Sequence, residues 1–439
     1  MPSMIVVASV ALATVFIEAD SVVSDHWQTQ LPHLFGTGAE GARGMMSTIA
    51  GSMMTVVGVS FSMVLMVLAM ASSQYTSRIL RNFIRSRVTQ VVLGIFAGIF
   101  TYCLIVLRTI RNSDEGAFVP NLAVSFGFVL ALGGVGALIF FIHHIASSIQ
   151  ASSIIASVAE ETIAAIDRLF PDKLGQGPSD DDDDDDDDDG DDDDDDDDDE
   201  QPRLPPSERK WQAVIASESG YIQSVNSEAI VRLARDWKTI VWMDHGIGEF
   251  VVQNTTLASL ALEEPPDQAT IDALQATFSI SCHRTLDQDA GFGIRQIVDI
   301  AMKALSPGIN DTTTAIMCVD YLTAIMARLA QRQIPSSRRY EEGELRVFAK
   351  GPTFESLLAE SFDQIRSNAK GNVAIMSRML GAFKTLASLT TSPSRRRVIG
   401  EQVQWIAELA NCSLESSYDR ARIESRLALV REALKADPV

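Results

Sequence analysis

The chain has 439 residues, enough for two or three domains, and a formal net charge of −22. Nineteen Asp and one Glu between Asp180 and Glu200 carry nearly all of that charge; the remainder is close to neutral, which excludes a basic field for nucleic acid and a broad acidic field for cationic partners. The four cysteines, Cys103, Cys282, Cys318 and Cys412, lie far apart with no CxxC pair, so neither a disulfide framework nor a zinc site is expected.

Four long apolar segments fill the first third and are read as membrane spans: Met4 to Ile17, Gly44 to Ser72, Val88 to Leu107 and Phe118 to Ile142. The first is short for a hydrocarbon core of about 30 Å. No Lys or Arg precedes it, so it is read as a membrane helix and not as a signal peptide. Between spans two and three, Arg78, Arg81, Arg85 and Arg87 occur without an acid, whereas the segment after span one carries Asp20, Asp25 and Glu40 against Arg43. The positive-inside rule places the Arg-rich loop and both termini in the cytoplasm. Arg78, Arg81 and Arg85 recur at helical spacing among Ile79, Leu80, Phe83 and Ile84. An amphipathic helix on the anionic inner leaflet is preferred to a gating linker.

Span two is the least lipid-like. Thr48, Gly51, Ser52, Thr55, Gly58 and Ser62 fall within an arc of about 120° on a helix. Such a face either packs closely on another helix, the commoner use, or lines a wet path. Thr48, Ser52, Thr55 and Ser62 are the pore-lining candidates, and seven methionines between Met45 and Met70 supply adaptable packing. No span carries a central charge, which argues against an ion-coupled pump and not against a passive channel. Arg108 and Arg111 could draw anions to a mouth at the outer end of span three, against the plainer alternative that they snorkel to the interface. His143 and His144, adjacent on a helix, are read as interface residues.

Beyond them, IASSIQASSIIASVAEETIAAIDRLF has no Gly or Pro and is expected to continue span four as one long stalk (146–171). The aspartate run within 172–206 cannot bury apolar surface and repels itself. A disordered linker is expected there, since the mixed ligands and fixed turn of a calcium site are missing.

From Lys210 the period changes to two. WQAVIAS, SGYIQSVN, TIVWMDH and GEFVVQN read as strands, with a short helix from Ser227 to Trp237. This small β-barrel-like module (207–262) is similar to a lipoyl-type carrier, but its turn Met243-Asp244-His245-Gly246 lacks the lysine that a carrier needs. An α-helical domain is expected over 263–436. There Arg295, Asp299 and Lys303, four apart, are spaced for a structural ion-pair network. Ser306-Pro307-Gly308 breaks that helix, and Asn310 or Asp311 can cap the next. The enzymatic alternative would use His283, Asp287 and Asp289 as base or metal ligands. GxSxG, HExxH and a phosphate-cradling glycine loop are absent, so no catalytic residue, metal or cofactor is assigned. SRRR at Ser394 to Arg397 is read as a solvated turn.

The blocks SSQYTSRILRNFIRSR, FVPNLAVSFGFVLAL, FIHHIASSIQASSIIASVA, SGYIQ and RTLDQDAGFGIRQIVDIAMKALSPGINDTTTA resemble the bacterial membrane proteins grouped as domain-of-unknown-function family 2254. The resemblance implies a bacterial inner-membrane protein and brings no activity or site residue with it; the aspartate tract departs from the pattern as an insertion. The fold class expected is a mainly α membrane protein with four transmembrane helices (1–145), a stalk, a small β module and a helical cytoplasmic domain. The function expected is an oligomeric channel with a cytoplasmic regulatory region, the alternative being a membrane-anchored adaptor or sensor. Its partners are then the lipid bilayer, copies of itself and an unidentified soluble partner.

Overall fold

A computed structural model describes residues 1–23, 38–74, 87–111, 118–148, 150–170 and 209–436. The chain divides into two compact units, Met1–Ser153 and Ile154–Val439. Arg78, Arg81, Arg85 and the aspartate tract lie outside the described residues.

The N-terminal unit holds α1 (Pro2–Val23), α2 (Ala39–Gln74), α3 (Arg87–Thr109) and α4 (Asn121–Ser148). Helix α3 is its centre, packing on α1, α2 and α4. Its core gathers Phe96, Ile99, Tyr102, Cys103 and Val106 with Met46 and Met53 of α2. Glycines let the helices approach. A methyl group at Gly94 would come within 2.8 Å of Ile5 Cδ1 and 3.1 Å of the Pro2 backbone. One at Gly127 would meet Met46 at 3.0 Å, and one at Gly134 would meet Ile99 at 3.0 Å. Outside this core the unit exposes Met4, Val7, Val59, Phe61, Val129, Leu132 and Ile139 among other large apolar side chains, a surface suited to lipid.

Helix α1 runs past the expected end at Ile17 and takes in Asp20. That carboxylate is buried and accepts the Leu122 and Ala123 amides at 2.8 and 3.3 Å, capping the start of α4. The stalk also differs from the expectation. Helix α4 stops at Ser148 and α5 (Ala151–Leu169) begins anew. Bonds of the i→i+3 kind, from the Gln150 amide to Ser147 and from the Ser153 amide to Gln150, mark the break. Serines on both sides compete for backbone groups and weaken the helix there.

Five helices among the described residues are long and apolar enough to cross a membrane: α1 to α4, and α9 (Thr312–Ala330) in the C-terminal unit.

In the C-terminal unit come the strands β1 (Gln212–Ile215), β2 (Gly220–Val225), β3 (Val241–Met243), β4 (Phe250–Val251) and β5 (Thr256–Leu260), with α6 (Ser227–Asp236) between β2 and β3 in the chain. They do not close a barrel within 207–262. Strand β6 (Phe278–Ser281) follows α7 (Gln268–Gln275), and β7 (Arg338–Glu341) and β8 (Glu344–Phe348) come from far downstream. Two sheets result, ordered β1-β5-β3-β8-β7 and β4-β2-β6. The reason lies in β3, whose Val241, Trp242 and Met243 are all buried. A strand covered on both faces needs partners on both edges. It finds β5 antiparallel on one side and β8 parallel on the other.

The helices α8 (Ala290–Ala304), α9, α10 (Phe354–Asn368), α11 (Val373–Leu389), α12 (Pro393–Ser413) and α13 (Ser417–Lys435) form a bundle around α11. Asp311 caps α9 by accepting the Thr314 amide at 3.0 Å. The SRRR segment is not a solvated turn. Ser392 and Pro393 start α12, a favoured capped beginning. Arg395 then donates to the carbonyls of Leu329, Ala330 and Arg332 at the end of α9. Arg396 does the same for Ala433 and Ala436 at the end of α13.

Helix α5 belongs to this unit. A methyl group at Gly293 would collide with Thr162 and lie 2.9 Å from Leu286 Cδ2. At its C-terminal end Asp167 accepts from Arg328 and Arg332 at 2.6 and 2.8 Å. The Arg328 bond, aided by Arg332, holds its carboxyl below the ordinary value of 3.8. The group therefore stabilises the fold above that pH, and the contribution is lost as acid protonates it. Asp167→Asn is expected to lower stability by about 1 kcal/mol at neutral pH, given the partial exposure of the pair. In thermal melts the difference from wild type should close below pH 4.

Candidate functional site

Two regions carry functional geometry, one in each unit. The first is the outward face of α2. Thr48, Gly51, Ser52, Thr55, Gly58 and Ser62 are all exposed in the single chain. At Gly41, Gly44, Gly51 and Gly58 a methyl group would meet nothing within 4 Å among the described residues apart from the backbone of α2 itself. The close approaches inside the unit thus use a different set of glycines. Gly41, Gly44, Thr48, Gly51, Thr55, Gly58 and Ser62 alternate steps of three and four residues, the period of helices packed with a left-handed crossing. Thr48 and Thr55 donate to the carbonyls of Gly44 and Gly51 at 2.8 and 3.0 Å. Their hydroxyls are thereby satisfied without a partner helix.

Arg108 and Arg111 are both exposed. Arg43, on the second turn of α2, donates to the Ile110 carbonyl at 2.8 Å, which brings a third cation to the same end of the unit. His143 is exposed, and His144 stacks on Phe140 at 5.9 Å.

The second region is a cavity of about 1030 Å³ in the C-terminal unit. The N-terminal turns of α6, α8 and α10, strands β3 and β8, and Leu169 and Phe170 at the end of α5 all contribute to its wall. Arg284 holds Asp289 with two bonds, Nε to Oδ2 at 2.7 Å and Nη2 to Oδ1 at 3.0 Å. Asp289 also caps α8 through the Phe292 amide at 3.0 Å. On the side of Gly248 and Gly291 the pair is closely packed. Gly248, at φ +83°, could not carry a side chain without striking Asp289, and a methyl group at Gly291 would lie 3.0 Å from Glu360 Oε2. Burial pushes the Glu360 carboxyl above its ordinary value; Arg284 opposes the rise and Asp289 adds to it. Nearby, Lys350 Nζ sits 2.9 Å from Glu249, which also takes His245 at 3.2 Å.

The residues singled out in the sequence are distributed otherwise. Arg295 and Asp299 pair at 2.9 Å, and Arg295 reaches Gln364 of α10 at 3.2 Å. Lys303 makes no ion pair among the described residues. His283 and Asp287 are exposed, while Asp289 turns inward to Arg284. No group of three or more metal-ligating side chains occurs among the described residues. Sequence reasoning passed over Arg284, Arg339, Lys350 and Glu360, which come from separate segments. The usable signal was Gly291 and Gly293 at the start of an otherwise apolar helix, where glycine costs stability unless something approaches closely.

Comparison with known proteins agrees with the apolar helices. Residues 1–385 match the family described as Predicted membrane protein (DUF2254). An uncharacterised protein of Mycobacterium bovis and one of Mycobacterium tuberculosis are each 32% identical over 401 residues, covering 90% of this chain and 73% of the relative. No solved structure matches. The chain thus belongs to the predicted membrane protein family of domain of unknown function 2254.

Proposed function

We propose that the protein is an oligomeric conductance of the bacterial inner membrane, with α1 to α4 crossing the bilayer and the outward face of α2 turned to neighbouring copies. The observation that carries this reading is the run of small residues from Gly41 to Ser62, which has the period of a helix interface and meets no partner helix among the described residues. The exposed Arg43, Arg108 and Arg111 at one end of the unit suit the mouth of such an assembly. Helix α9 is apolar enough to span, but in this reading it stays in the cytoplasmic bundle, where Asp320 pairs with Arg378 and Arg328 with Asp167. Four spans and the arginine-rich loop put both termini in the cytoplasm. The reading is non-enzymatic. It asks of the C-terminal unit only that it move α5, which follows α4 after two residues.

The test is ion flux into liposomes containing the purified chain. Flux that falls severalfold in Ser52→Leu or Thr55→Leu supports a path along α2. An assembled protein that passes no ions favours the second reading, a membrane-anchored adaptor, which the self-satisfied hydroxyls of Thr48 and Thr55 also suit.

A further inference from the structure

The cavity of the C-terminal unit contains three cations, Arg284, Arg339 and Lys350. Two are answered in place, Arg284 by Asp289 and Lys350 by Glu249. Arg339 is not. It is half-buried, its guanidinium donates to the Ser336 carbonyl, and no carboxylate pairs with it among the described residues. Burial pulls its pKa below the ordinary value, and no acid among the described residues is a cause of opposite sign. A guanidinium does not lose its proton in the accessible pH range. A partly desolvated positive charge without a counter-ion is costly, and folded proteins rarely keep one without use.

The rest of the wall is consistent with an anion. The N-cap Thr353 and the first-turn Ser356 of α10, which cap each other's amides, line the same space, and the helix dipole there favours negative charge. Of the acids in the wall, Asp289 and Glu249 are engaged, Glu360 is pushed towards its neutral form, and Glu355 is exposed. The wall also has an apolar part, with Ile230, Val231, Met243 and Val347 lining the same space beside the polar Ser227 and Gln288. At about 1030 Å³ the volume exceeds what an inorganic ion would need and falls in the range of small-molecule sites.

We infer that this cavity binds a small organic anion, whose phosphate or carboxylate head pairs with Arg339 and whose apolar body lies along Val231, Met243 and Val347. Leu169 and Phe170, at the end of α5, line the same space, so an occupant that prefers one position of α5 shifts the population of that position. The role of the anion as a gating signal rests on the proposed conductance; its binding does not.

The experiment is calorimetric titration of the full chain, held in phosphatidylcholine nanodiscs, with phenyl phosphate, and with phenol as the same body without charge. The expected result is one saturable site per chain for phenyl phosphate and no comparable binding of phenol. Arg339→Gln should weaken phenyl phosphate about tenfold or more, and Arg339→Lys, which keeps the charge but loses the fork, by less. Should Arg339→Gln fail to fold, the contrast between the two probes on the wild-type chain decides. Repeating the titration in discs containing phosphatidylglycerol separates the sources: loss of phenyl phosphate binding there assigns the site to a lipid headgroup, and unchanged binding assigns it to a dissolved anion. No binding of phenyl phosphate to the folded chain, equal affinity for phenol, or an unchanged affinity in folded Arg339→Gln would overturn the site. The readout is heat and not flux, so a silent conductance leaves this inference standing, and a conducting protein that ignores phenyl phosphate removes the site alone.

Discussion

In the proposed conductance, replacing Gly51 and Gly58 together by leucine is expected to leave the single chain folded while dissolving the assembly and abolishing flux. Beyond the backbone of α2 itself, no atom of the described residues lies within 4 Å of where a side chain would begin at either position. Leucine is also a better helix former than glycine by about 1 kcal/mol per position, and its side chain is at home in lipid. Close helix association, by contrast, depends on small residues that let two backbones meet. Chemical cross-linking in membranes should shift from oligomer to monomer, with flux falling to background. The control is Gly94→Leu, on the inner face of α3. There the new side chain would strike Ile5 and the Pro2 backbone, and the chain itself should fail to accumulate. An unchanged cross-linking pattern in the folded double variant would remove α2 from the interface.

An alanine at Gly293 has the largest effect expected in the C-terminal unit. Its methyl group would fall inside the contact distance of Thr162 and lie 2.9 Å from Leu286 Cδ2. Thr162 has nowhere to go. It is fully buried, and its hydroxyl donates to the Val158 carbonyl at 2.6 Å. Relief must come from backbone movement between α5 and α8, at a cost of about 3 kcal/mol. Hydrogen exchange of the full chain should show the α5 amides opening faster, with the far bundle helices little changed. Thr162→Ala removes the colliding oxygen, so the double variant should recover at least half of the loss. The coupling between neighbours in such a cycle is about 1–3 kcal/mol. Purely additive effects of the two changes would show that α5 does not rest on Gly293.

How far the sequence reveals this arrangement depends on the range of the contacts involved. The small-residue face of α2 is legible because it repeats locally, every three or four residues. The end of α1 is not, since hydropathy falls at Glu18 and Asp20 while the helix continues; the amides that satisfy Asp20 lie 102 and 103 residues away. The four strands visible by alternation, at 212–215, 220–225, 241–243 and 250–251, are present. Their partners were hidden for different reasons. The parallel pairing of β3 with β8 joins Val241 to Val347, which no local pattern encodes. The β7–β8 hairpin was readable in principle: Glu342 and Gly343, at φ 54° and 74°, form the left-handed two-residue turn that such a sequence favours. The cavity was not readable at all, because Arg284, Arg339, Lys350 and Glu360 meet only after both sheets and the bundle have assembled.

The neighbouring arginines at the start of α12 have a consequence for how the C-terminal end of the molecule is fastened. Arg395 clasps the end of α9 and also lies over the Phe354 ring at 5.1 Å, so its hold has an apolar component. Arg396 clasps two carbonyls at the end of α13, that of Ala433 half-buried and that of Ala436 exposed. Helix α13 buries Ile423, Leu427 and Val430 among its nineteen residues, a thin apolar seam for its length. The helix packs on α11 and α12 along that seam, and Arg396 adds a charge–dipole contact only at its C-terminal turn. High ionic strength, which hardly touches buried packing, is therefore expected to loosen that final turn while the seam holds.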